Sequence, residues 1–228
     1  MQKLLAFFAV RDGCDREVGM ALAAAASRVA AAPGIEGVAV LLAESDDPLP
    51  ALYRMRRYEA VLEVRSLDAE SLDTLIERLA ELRSDLGDCV HSDLSALVVA
   101  EENRVVPAEP PGTRYMSLMR RKAGTGHDDY ISYYRNEHAR FGIECPGATG
   151  YHQNYVDLKR SREAAARGGF GIWDVDSVTE IFVPSARVFE DATSDDPIRE
   201  EAAIDEARFI DRGTQAGFCV HVAGHFPE

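Results

Sequence analysis

Apolar positions come in short runs, separated by stretches with helical spacing. Residues 3–10 form a nearly continuous apolar run closed by Arg11-Asp12-Gly13, the pattern of a buried strand. An alanine-rich helix is expected over 15–32, stopped at Pro33-Gly34. Residues 37–44 and 58–65 read as strands. Between 68 and 86, leucine or isoleucine at 72, 75, 76, 79, 82 and 86 predicts one amphipathic helix. A fourth strand holds 96–100, so the order is βαββαβ.

Pro107, Pro110, Pro111 and Gly112 then mark a linker. Beyond it the order repeats, with strands at 115–121, 150–156, 178–183 and 217–222 and helices at 127–143 and 198–209. The halves also match residue by residue. Pro33, Gly34 and Gly37 recur 113 positions later as Pro146, Gly147 and Gly150, and Gly13 and Asp15 recur as Gly126 and Asp128. Val61-Leu62-Glu63-Val64 returns as Val178-Thr179-Glu180-Ile181 at a shift of 117. That places four extra residues between the middle strands of the second half, near Gly168, Gly169 and Gly171. One order at nearly one register argues for duplication.

A βαββαβ unit is ferredoxin-like, with helices on one face of an antiparallel sheet. Its other face must be covered too. The expected fold is therefore α+β: two tandem ferredoxin-like units (1–106 and 113–228, joined by the linker 107–112) whose sheets pack into an intrachain α/β barrel around an internal space. The length of 228 residues suits two such units.

Composition narrows the function. With 46% hydrophobic and 28% charged residues the chain is globular rather than disordered. A net charge of −14 disfavours nucleic acid and anionic membranes as partners. Four cysteines without a CxxC pair read as free thiols of a cytoplasmic protein. The first apolar run is too short for a signal peptide, and no run reaches a membrane span. Nucleotide-binding glycine loops and the GxSxG elbow are absent from the sequence.

The second half carries recognisable residues. Arg120-Arg121-Lys122-Ala123-Gly124 precedes His127-Asp128-Asp129-Tyr130-Ile131 and Tyr134-Arg135-Asn136-Glu137-His138-Ala139. Pro146-Gly147, Tyr151-His152-Gln153-Asn154 and the segment Asp205-Glu206-Ala207-Arg208-Phe209-Ile210-Asp211 follow in order. Over about 113–224 this resembles the EthD family of the dimeric α/β barrel superfamily. It departs at Tyr134, where the family often has tryptophan, and at Tyr155, where histidine is common. The resemblance implies sheet-to-sheet pairing and a link to the degradation or tailoring of aromatic and polyketide molecules. The wider superfamily includes cofactor-free monooxygenases, isomerases and haem enzymes.

His138 is the first candidate for chemistry. Ile131, Tyr134, His138 and Phe141 form one helical stripe, so His138 faces the sheet. It reads either as a core histidine bonded to a carbonyl or to Tyr134, or as a general base or acid. The repeat places Ala25 opposite it, which favours function. On strand 150–156, Tyr151, Gln153 and Tyr155 share one face and His152 and Asn154 the other. Which face lines a pocket stays open. Catalytic roles are expected of His138, His152 and Tyr134, and substrate contacts of Tyr151, Asn154, Arg120 and Trp173. No metal is expected, because His221 and His225 lack completing ligands. Glu63 and Glu180 match across the halves as a possible barrel-lining pair.

The expected function is a cofactor-independent lyase or isomerase, using histidine acid–base catalysis on a small hydrophobic molecule held between the sheets. A non-catalytic small-molecule binder is one alternative. A haem- or oxygen-using oxidoreductase is another, with His138 or His221 as axial ligand. The protein is expected as a monomer with a pseudo-dimeric core, or as a homodimer.

Overall fold

The computed structural model describes residues 1–53, 55–108 and 112–226, so residues 109–111 of the expected linker lie outside it. The first half runs β1 (Gln2–Phe8), α1 (Asp15–Ala30), β2 (Ile35–Ala43), the short α2 (Leu49–Tyr53), β3 (Ala60–Ser66), α3 (Ala69–Ile76), α4 (Leu79–Leu86) and β4 (Ala96–Val106). In the second half β5 (Thr113–Met119) leads to α5 (His127–Tyr133), a π-helical turn (Tyr134–His138) and α6 (Ala139–Ile143). There follow β6 (Gly150–Val156), α7 (Leu158–Gly168), β7 (Ser177–Val183), α8 (Ala186–Thr193), α9 (Pro197–Phe209) and β8 (Ala216–Phe226). No helix among the described residues is long and apolar enough to cross a membrane.

All eight strands join one closed antiparallel barrel in the order β1-β3-β2-β8-β5-β7-β6-β4. Each half contributes its strands in the ferredoxin-like order, β4-β1-β3-β2 and β8-β5-β7-β6. The halves are stitched by hydrogen-bonded pairs at both seams, β2 to β8 and β4 to β6. Closure leaves no free sheet edge among the described residues.

The expected helix over 68–86 is two helices. α3 starts on Asp68, whose carboxylate accepts from Ser71 N at 2.7 Å, and α4 begins after Arg78. The two helices keep their leucines against the sheet, so the apolar spacing holds while the axis breaks. α7 and α8 were not anticipated; Asp157 and Ser185 cap their starts.

Strand alternation separates three packed regions. The outer face of the first half is apolar and covered by α1, α3, α4 and the α7 alanines. The barrel interior is apolar over much of its length, with Leu5, Phe7, Val61, Val98, Met116 and Phe218. The outer face of the second half meets α5, α6, α8 and α9 in two smaller clusters.

Candidate functional site

The interior expected to hold a substrate is filled. At one end it carries a buried ion network instead. The Lys3 ammonium contacts Glu180, Glu63 at 2.9 Å and Glu102 at 3.0 Å. Arg114 bridges Glu63 (2.7 Å) and Glu180 (3.1 Å), and Arg65 reaches Glu63 at 2.9 Å. Burial alone would raise Glu63, Glu102 and Glu180, but the surrounding cations, with the His152 side chain foremost at Glu102, hold all three below the usual carboxylate range. Lys3 is raised: burial works against its charge, and the three carboxylates overcome that.

Glu102, His152 and Glu180 would offer a metal three ligand atoms within 4.8 Å of one another. The Lys3 ammonium already sits against both carboxylates, and Arg65, Arg114 and the more exposed Arg104 complete the neutralisation of the three anions. A divalent ion would add unbalanced charge to a dry site.

Open space lies on the other side of the sheet. A cavity of about 240 Å³ separates the outer face of β5, β6 and β7 from α6, α8 and α9. Its floor is set by register: Tyr151 pairs with Ile181, which pairs with Tyr115, and Ser117 pairs with Thr179. Apolar walls come from Met119, Phe141, Phe189 and Ile198, among others. Polar and charged side chains share the lining, among them Ser117, His138, Thr179, Arg199, Glu206 and Arg212.

His138 lines this cavity from the end of the π-helical turn. Such turns insert an extra residue and often mark functional sites. Here the buried line runs Tyr130, Tyr134, His138, Phe141, with Ile131 only half-buried. Gln153 Nε2 donates to the Tyr134 carbonyl at 2.8 Å, so β6 holds the irregular turn in place.

His138 Nδ1 lies 2.9 Å from Asp205 Oδ2 of α9. Tyr133 donates to the other oxygen of that carboxylate at 2.6 Å. Asp205 therefore holds the ring proton on Nδ1 and leaves Nε2 as acceptor. Burial lowers the His138 pKa, and Asp205 only partly opposes this. Asp205 is itself held low, its hydrogen bonds from Tyr133 and His138 outweighing burial.

Glu206, the next residue of α9, also lines the cavity. Burial pushes its carboxyl up to about 7, against the pull of Arg212 at 3.8 Å. The helix is fixed at its end by Lys122 N donating to Phe209 O at 2.7 Å and Asp211 N to Arg120 O at 2.9 Å.

The cavity thus brings together His138 and Tyr151 of the residues singled out from sequence. Tyr151 packs flat against Gly142, where a Cβ would come within 2.4 Å of the ring, and accepts from Gln153 at 2.8 Å. Tyr134 stands behind His138, stacked at 6.0 Å, with its hydroxyl 2.6 Å from Thr179. His152 and Asn154 face the barrel interior instead. Asn154 donates to Glu180 at 2.8 Å, and His152 Nδ1 lies 3.3 Å from Glu102 without a well-formed hydrogen bond. Arg120 donates to the Asp174 carbonyl at 2.7 Å, away from the cavity. Trp173 packs on Tyr58 at the far end of the barrel, under the Arg56 guanidinium. Glu63 and Glu180 do line the barrel, bridged by Arg114. His221 is exposed on β8.

Asp205, Glu206 and Tyr133 were missed as site residues. Asp205 and Glu206 lie within the segment that resembles the last EthD helix. Nothing in the spacing of positions 133 and 138 against 205 signals that they meet.

Comparison with known proteins agrees with this architecture. An anthrone oxidase-like protein superposes with a TM-score of 0.71 at 13% identity, covering 98% of this chain and 92% of that one. A proposed monooxygenase from Fusobacterium nucleatum superposes at 0.61 and 8% identity (98% and 93% covered), and a proposed chlorite dismutase at 0.58 and 12% (98% and 94%). At such identities the likeness is one of fold. No curated protein matches the sequence. The family model of the EthD domain matches residues 122–213, a span that includes α5, the π-helical turn, α6 and α9. The match to the EthD domain thus falls within the cavity-bearing second half of this chain.

Proposed function

We propose that the cavity is the active site of an enzyme that moves a proton on a compact hydrophobic molecule, aromatic or polyketide-like. The reaction class is a dehydration, a decarboxylation or an isomerisation driven by side-chain acid–base groups alone. The observation that carries this reading is the His138–Asp205 pair at 2.9 Å beside a cavity that mixes apolar walls with Glu206 and other polar groups. Asp205 orients the imidazole and supports the imidazolium that forms when Nε2 takes a proton. Glu206, titrating near neutrality, is the complementary acid. In a dehydration His138 removes the C–H proton and Glu206 protonates the departing hydroxyl. Tyr115, Ser117 and Gln215 line the same space and can hold oxygen functions.

A screen of hydroxylated aryl ketones, read by mass spectrometry, should show loss of water, loss of carbon dioxide or an isomer of equal mass. On the converted compound His138→Ala should lower kcat/KM by about 10²–10⁴-fold. Full turnover by a folded variant would remove His138 from the chemistry.

The likeness to an anthrone oxidase-like protein favours a second reading, oxidation of the anion that His138 creates. Oxygen uptake in step with conversion would replace the lyase reading with this one. Haem does not suit the site. Its volume lies below the roughly 300–1,000 Å³ of ordinary small-molecule pockets, which leaves no room for a tetrapyrrole.

A further inference from the structure

The connections between the middle strands of each half cross to the other half. In the second half this is residues 157–176, twenty residues that include α7. In the first it is residues 44–59, sixteen residues that include α2. α7 lies on the first half's sheet, where Ser161 Oγ accepts from Val99 N at 2.9 Å. The shorter connection is clamped onto the second half. Glu44 N donates to Cys219 O at 3.0 Å, Cys219 N to Asp47 at 2.6 Å, and Gly217 N to Arg56 O at 3.1 Å.

Two isolated parallel bridges reveal equivalent positions. Gly171 pairs with Ala96, the first residue of β4, and Arg56 pairs with Ala216, the first residue of β8. Phe170 and Met55 precede them. Phe170 is buried in the first half's helix-side core, with its ring 5.8 Å from Phe8. Met55 instead lines the cavity, its thioether so close to β8 that a Cβ on Gly217 would come within 2.8 Å of the sulfur. The same outer face is plugged by a phenylalanine in one half and bounded by a methionine in the other.

We propose that Met55, supplied by the first half, is the size-determining residue of the cavity in the second. It limits ligands to compact aromatics of one or two fused rings. This rests on the cavity being the substrate site proposed above. Leu49, which also lines the space from this connection, fixes the neighbouring wall. The fusion of two halves therefore has a chemical use: the first half sets selectivity, and the second carries the acid–base groups.

The test is binding of 1-naphthol and 9-phenanthrol, followed by fluorescence and calorimetry, to the full chain. The natural protein should prefer the two-ring probe. Met55→Ala should bind 9-phenanthrol at least about tenfold tighter than the natural protein does, with 1-naphthol changing far less. Met55→Phe, which copies the first half, should lose both. Thermal melting and circular dichroism establish that each variant is folded. An unchanged preference in folded Met55→Ala, or natural-strength 1-naphthol binding by Met55→Phe, overturns the proposal. Should Met55→Ala change the preference while His138→Ala keeps full turnover, the selectivity assignment stands and the catalytic one falls. Failure of the natural protein to bind either probe overturns both.

Discussion

His138 and Glu206 face one cavity with opposite protonation tendencies, and the difference is environmental. Burial favours the neutral form of each, so the imidazole titrates below 6.5 and the carboxyl rises to about 7. A base is active once deprotonated, so activity should rise as pH climbs through the depressed His138 value. An acid is active while protonated, so activity should fall as pH passes about 7. The kcat/KM profile should be a narrow bell. In Glu206→Gln the alkaline limb should disappear while the acid limb remains; an unmoved alkaline limb would mean another group carries it. Asp205 shapes the profile indirectly, by fixing the tautomer of His138.

At the scale of elements, the helix spanning 127–143 matters because it is not regular. Its π-helical turn carries Tyr134 and His138 inward together, and β6 supports that turn through Gln153. α6 then approaches β6 so closely that only glycine fits opposite the Tyr151 ring. Gly142→Ala should force that ring aside. The expected cost is about 1–3 kcal/mol, from overpacking, together with weaker ligand binding. Denaturant unfolding checks the first and titration the second; a neutral result on both would show that the contact is slack. Short helices decide the other walls. α8 and α9 start at Ser185 and Asp196, each accepting a hydrogen bond from the first turn.

Across the whole molecule the two faces of one barrel have divided the work. The interior is spent on cohesion, with Lys3, Arg65 and Arg114 neutralising Glu63, Glu102 and Glu180. Removing one partner strands a buried charge, so Lys3→Met should cost about 3–5 kcal/mol in urea unfolding. A loss below 1 kcal/mol would show the network to be well hydrated. All three carboxylates have folded-state pKa values depressed below 4.5. Their contribution is therefore complete above that pH and is lost as pH falls below it. The sequence by itself determined the two halves, the strand order within each and His138 as an inward residue, because apolar periodicity and the repeated Pro-Gly turns are local properties. It also carried the EthD likeness of the second half. Only the tertiary structure decided which side of the sheet holds a cavity. Strand alternation assigns His152 and Tyr151 to opposite faces but cannot say which face is filled, and here apolar side chains and, at one end, three ion-paired carboxylates fill the inner one. The meeting of His138 with Asp205 and the reach of Met55 across the halves are long-range contacts. The first needs two helices of one half to pack side by side on its sheet, and the second needs the halves to join, neither of which a local pattern encodes.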